Sequence, residues 1–139
     1  MERRNIHYMS QLAKDSSAKD IYDARIRVFS YFIDQLLSQA ETNGYKLNVS
    51  FNIRVIERLA DSKLPAHGRV KIRARLFNKT QTLDVVEIDE SQMRRVFQIL
   101  YEELCDMAGP VKTDKYCKTA LVLVKKLPEA ALYPPQRLM

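Results

Sequence analysis

Between residues 17 and 42, Tyr22, Ile26, Phe29, Ile33, Leu36 and Ala40 recur at alternating steps of four and three, the spacing of one face of an α-helix. Val28, Phe32 and Leu37 widen that face, so the helix needs a broad covering surface, either a sheet or a partner. Asn43-Gly44 supplies the left-handed residue that ends it. Upstream, Ile6, Met9 and Ala13 predict a shorter helix, either continuous with the long one or hinged at Ser16-Ser17.

From Lys46 the period changes to two. Leu47, Val49, Phe51, Ile53 and Val55 alternate with Asn48, Ser50, Asn52 and Arg54, the pattern of a strand buried on one face. After His67-Gly68 the alternation returns, with Val70, Ile72, Ala74 and Leu76 facing in and Arg69, Lys71, Arg73 and Arg75 facing out. A polar turn at residues 78–81 leads to a third strand over residues 82–88, and short connections favour an antiparallel meander.

Asp89 and Gln92 have capping-box spacing, and Met93, Val96, Phe97, Leu100, Leu104 and Met107 continue at helical steps to Gly109-Pro110. Thr113 or Asp114 can cap another helix, which shares Tyr116, Ala120, Leu123, Val124 and Leu127 on one face before Pro128 stops it. Residues 119–124 also read as a strand. The expected fold is α+β: N-terminal helices, a three-stranded antiparallel sheet, then two C-terminal helices. All 139 residues are read as one domain, with residues 1–16 as a helix or arm, 17–127 as core and 128–139 as a tail laid on the body or reaching a neighbour.

Composition agrees with one ordinary folded unit: 46% hydrophobic and 29% charged residues, with five prolines and three glycines. The first thirty residues alternate charge with apolar residues, which predicts no secretory signal, and no stretch predicts a membrane span. A cytoplasmic location is therefore expected. Cys105 and Cys117 are too few for a disulfide framework and are read as reduced core residues.

Charge changes the picture more than composition does. Residues 46–79 hold nine basic side chains against Glu57 and Asp61, whereas the flanking segments are nearly balanced, so the net +6 of the chain resides there. On the expected sheet, Arg69, Lys71, Arg73 and Arg75 form one basic face, joined by Arg54 from the neighbouring strand and by Lys79 in the turn. An anionic partner would relieve their mutual repulsion: a nucleic acid held by its phosphates, or an acidic protein surface. A merely solvated cationic face is the plain alternative. Phe77 is the one nearby ring, a poor base-stacking platform.

Catalytic chemistry is thinly represented. His7 and His67 lie in different elements with no motif around them, the three glycines sit at element ends, and Glu102, Glu103 and Asp106 form a lone carboxylate cluster. No enzymatic activity, metal or cofactor is expected. The leading expectation is a binding module contacting a polyanion through a basic sheet face. The alternative is a dimeric protein-interaction adaptor or secretion-chaperone-like protein that binds an acidic or apolar partner surface, with Tyr22, Phe29, Phe32, Leu132 and Tyr133 as its interface. In element order the expected fold resembles a double-stranded RNA-binding domain, although residues 90–95 do not match that family's basic motif. The same order resembles secretion-effector chaperones, which tend to be acidic where this segment is basic.

Overall fold

Two side chains set the starts of the two longest helices. Ser17 Oγ accepts from the Asp20 amide (3.2 Å) while the Ser17 amide donates to the Asp20 carboxylate (3.3 Å). Asp89 and Gln92 repeat this reciprocal cap at 2.8 and 3.0 Å. Each box satisfies amides that a helix start leaves unpaired. In the computed structural model, residues 17–43, 49–78, 82–83 and 86–139 are described. They form α1 (Ala18–Thr42), α2 (Val49–Asp61), α3 (Ala66–Phe77), α4 (Glu90–Ala108) and α5 (Pro110–Val124). Two 3-10 turns, Pro128–Ala131 and Pro135–Leu138, follow.

The helix expected over 17–42 is present as α1, and Ile26, Phe29, Ile33 and Leu36 are all buried. Its broad face is covered by α4, α5 and both terminal turns, so other helices take the place of a sheet. Phe32 and Phe97 meet across α1 and α4 with ring centroids 5.5 Å apart. Gly109, at φ +88°, ends α4 and its amide donates to the Cys105 carbonyl (2.8 Å). Glycine tolerates that conformation where other residues are strained. Pro110 begins α5 immediately, three residues before the expected cap, and residues 119–124 are helical.

The α+β expectation is overturned: no described residue lies in a strand, and residues 49–61 and 66–77 are helices. In α2, Phe51, Val55 and Leu59 stand at steps of four and are buried, while Val49, Ile53, Ile56 and Ala60 form a second stripe on the opposite side. Interleaving the two stripes produces apolar residues at every second position, which imitates a strand. In α3, Gly68, Ile72 and Leu76 face in, and Val70 and Phe77 face out. Gly68 admits the segment after α3 closely, since a Cβ there would lie 3.3 Å from the Ile88 side chain. Val86 and Ile88, read as strand residues, are buried without forming one. With no sheet, the basic sheet face and both topological resemblances fall.

The C-terminal segment belongs to the body. Tyr133 and Leu138 are each 1% exposed, Arg137 bonds Glu90 (3.0 Å) and lies over the Tyr133 ring, and Glu129 bonds Arg27 (3.2 Å). No helix among the described residues is long and apolar enough to cross a membrane. The readings of residues 1–16, including His7, lie outside the described residues.

Candidate interaction cleft on the α2–α3 hairpin

A helix turns about 100° per residue, so residues two apart point to opposite sides and residues four apart share a face. The row Arg69, Lys71, Arg73, Arg75 therefore splits in two, with Arg69 and Arg73 on one side of α3 and Lys71 and Arg75 on the other. Arg75 is buried, and its Nε donates to Asp34 Oδ1 (2.6 Å), its Nη1 to Glu41 Oε1 (3.0 Å) and its Nη2 to Ser38 Oγ (3.2 Å). Burial opposes the charge of Arg75, but hydrogen bonds to Asp34 and Glu41 outweigh it and its pKa is raised. Asp34 also accepts from the Leu83 amide (3.2 Å). Arg75 thus clamps α3 to α1 and is closed to any partner.

Arg54 is likewise committed, its Nε 3.3 Å from Glu103, while Arg58 pairs with Glu102 at 2.7 Å. These two pairs tie α2 to α4 and account for two members of the carboxylate cluster. Lys71 is half-buried, and Lys79 lies outside the described residues. The five described members of the basic set, Arg54, Arg69, Lys71, Arg73 and Arg75, therefore form no common face.

Arg69 and Arg73 border something different. The α2–α3 connection is short, and the two helices run antiparallel: Ala60 and Ala66 both line the cleft beside the turn, and at the far end Asn52 Nδ2 donates to the Leu76 carbonyl (3.2 Å). The outer side of the hairpin carries an open cleft in two parts that share Val70 and Arg73, the larger lined by α3 alone and the smaller by both helices. One, about 390 Å³, is lined by Val70, Arg73, Ala74 and Phe77, and the other, about 220 Å³, by Ile56, Ala60, Ala66, Arg69, Val70 and Arg73. Val70 is 66% exposed, Phe77 51% and Ile53 46%. The Arg73 guanidinium lies 5.9 Å from the Phe77 ring centre. Arg69 Nε is buried with no hydrogen-bond partner among the described residues, and neither Arg69 nor Arg73 forms an ion pair there. Sequence reading picked both arginines but set Val70 and Ala74 of the cleft inside a core; the step of four from Ile56 to Ala60 carries the signal.

Of the residues considered for an adaptor interface, Phe29, Phe32 and Tyr133 are buried in the protein's own core. Tyr22 is 39% exposed beneath the Arg25 guanidinium, and Leu132 is half-buried. Burial and the nearby Glu90 carboxylate push the Tyr133 hydroxyl up to about 12. Arg94 pairs weakly with Glu90 at 3.8 Å. His67 Nε2 sits 2.8 Å from the Glu87 carbonyl oxygen, and no metal-binding group of His, Cys, Asp or Glu occurs among the described residues. A recess of about 240 Å³ between α4 and α5 includes Tyr101, whose hydroxyl donates to Asp114 (2.6 Å), a bond that raises its pKa. Cys117 is buried and Cys105 half-buried, and both are free thiols.

The chain is, by class, a helical bundle with a lateral hairpin that leaves one apolar, arginine-rimmed side uncovered. No family model, curated protein or solved structure matches it.

Proposed function

We propose that this protein is a non-enzymatic interaction module that receives an acidic, partly apolar protein surface on the α2–α3 hairpin. The observation that carries this reading is the exposure of Val70 and Phe77 beside Arg69 and Arg73. Apolar anchors with an arginine rim are the composition of protein-recognition surfaces. A phosphate-tracking surface needs several outward cations in a row, and here Arg75 is buried while Arg54 and Arg58 are neutralised by glutamates. Those pairings favour the acidic protein over nucleic acid.

Fluorescence anisotropy tests this with a labelled peptide combining leucines and glutamates, run beside labelled duplex DNA and single-stranded RNA over about 50 to 200 mM salt. The expected result is peptide binding that weakens in Val70→Asp and in Arg73→Glu. Nucleic-acid binding tighter than peptide binding, and unchanged by Val70→Asp, would replace this reading with a polyanion one.

A further inference from the structure

We infer that the segment received by the α2–α3 cleft is an amphipathic α-helix of about three turns carrying acidic residues along one flank. This rests on the interaction-module reading above. The walls are two antiparallel helices whose apolar lining residues, Ile56 and Ala60 on α2 and Val70 and Phe77 on α3, recur at helical spacing. Helices satisfy their own backbone groups internally, so these walls offer an incoming chain no row of amides and carbonyls. An extended peptide would bury its own backbone polar groups without partners there, whereas a helix brings them already paired. Length agrees: α2 has 13 residues and α3 has 12, giving walls of about 18 to 20 Å at 1.5 Å per residue.

Charge fixes which helix fits. Arg69 and Arg73 stand four residues apart on the α3 rim, and the Arg69 Nε is buried without an acceptor among the described residues. Neither arginine forms an ion pair among the described residues, so two carboxylates a helical turn apart on the occupant pair with the outer guanidinium nitrogens of Arg69 and Arg73.

Three labelled peptides of about 12 residues test the inference, all with leucines at helical spacing and differing in one respect each. The first carries glutamates along one flank and a side-chain staple on its outer face; the second replaces the staple with two internal prolines; the third is stapled with lysines for the glutamates. Each is titrated by anisotropy into the full chain, into Val70→Asp and into Arg69→Glu/Arg73→Glu, with circular dichroism melts showing that the variants fold. The expected result is that the stapled acidic peptide binds, the proline peptide binds at least roughly tenfold more weakly, and the double variant reverses the preference to the lysine peptide. Equal binding of the proline and stapled peptides, both lost in Val70→Asp, would overturn the helical occupant and leave the interaction site standing. Failure of every peptide, with duplex DNA binding instead, would remove the site reading itself. Sedimentation as a dimer that Val70→Asp dissociates would make a second copy the occupant and overturn the inference.

Discussion

Helix α1 and the α2–α3 hairpin both carry apolar residues on more of their circumference than one neighbour can cover. Around α1 the chain supplies α4, α5 and two terminal turns, so Phe29, Phe32, Leu36 and Leu37 lose all solvent contact. Around the hairpin it supplies α4 against α2, α1 at the Arg75 clamp, and Val86 and Ile88 against α3, and leaves Val70, Ile53 and Phe77 in water. A wide apolar face states how many neighbours an element needs, not whether its own chain provides them. Where it does, the residues hold the fold; where it does not, they are available for recognition.

The largest expected effect tests the closed region. Phe29→Ala should cost about 3 to 5 kcal/mol, because a fully enclosed aromatic leaves a cavity its neighbours cannot fill. Thermal melts measure it, and a loss below about 1 kcal/mol would show that α1 is not enclosed in solution. Arg75→Met comes next, at about 3 kcal/mol, since it leaves Asp34 and Glu41 near one another with their shared cation removed. Pairing it with Asp34→Asn and Glu41→Gln should recover part of the loss. No recovery would mean that Arg75 acts by packing rather than by charge.

The closed region was also the legible one. The spacing of Tyr22 to Ala40, the Asp89–Gln92 cap and the stop at Gly109-Pro110 each gave an element that is present, because one wide stripe has a single periodicity. The hairpin was misread because it is amphipathic twice over. Phe51 and Val55 belong to its inner stripe and Val49 and Ile53 to its outer one, and together they alternate. Carrying the inner stripe on to Leu59, a further step of four, separates helix from strand, since a strand rarely runs so far. The basic face went wrong by the same route: side chains assigned to one side at period two are divided at period 3.6. That Arg75 meets Asp34 and Glu41 depends on how α3 lies on α1, which no local spacing encodes.

Smaller effects are expected at the thiols. Cys117 is buried on α5, and desolvation pushes it up to about 12, while Cys105 is half-buried. Alkylation of the native protein should therefore modify Cys105 first and leave Cys117 until denaturant is added. The folded thiol has the higher pKa, so the stability its burial contributes is present below the ordinary thiol range and is lost as pH rises towards about 12. Equal labelling rates without denaturant would open the α5 side of the bundle to solvent and blur its contrast with the hairpin.

The smallest effect sharpens the contrast most. Val70 projects from α3 with 66% of its surface in water, so Val70→Asp removes little buried area and places its charge near Arg69 and Arg73. Stability should change by no more than about 0.5 kcal/mol, the usual range for surface substitutions. Aspartate has the lower helix propensity, and attraction to the two rim arginines works against that loss, so the two contributions oppose one another. A cost above about 2 kcal/mol in a chemical denaturation curve would instead mark Val70 as a core residue. The hairpin would then be as closed as α1, and its apolar stripe would serve folding. A near-neutral Val70→Asp set beside a crippling Phe29→Ala would show that residues of the same apolar class hold the fold in one region and remain free for a partner in the other.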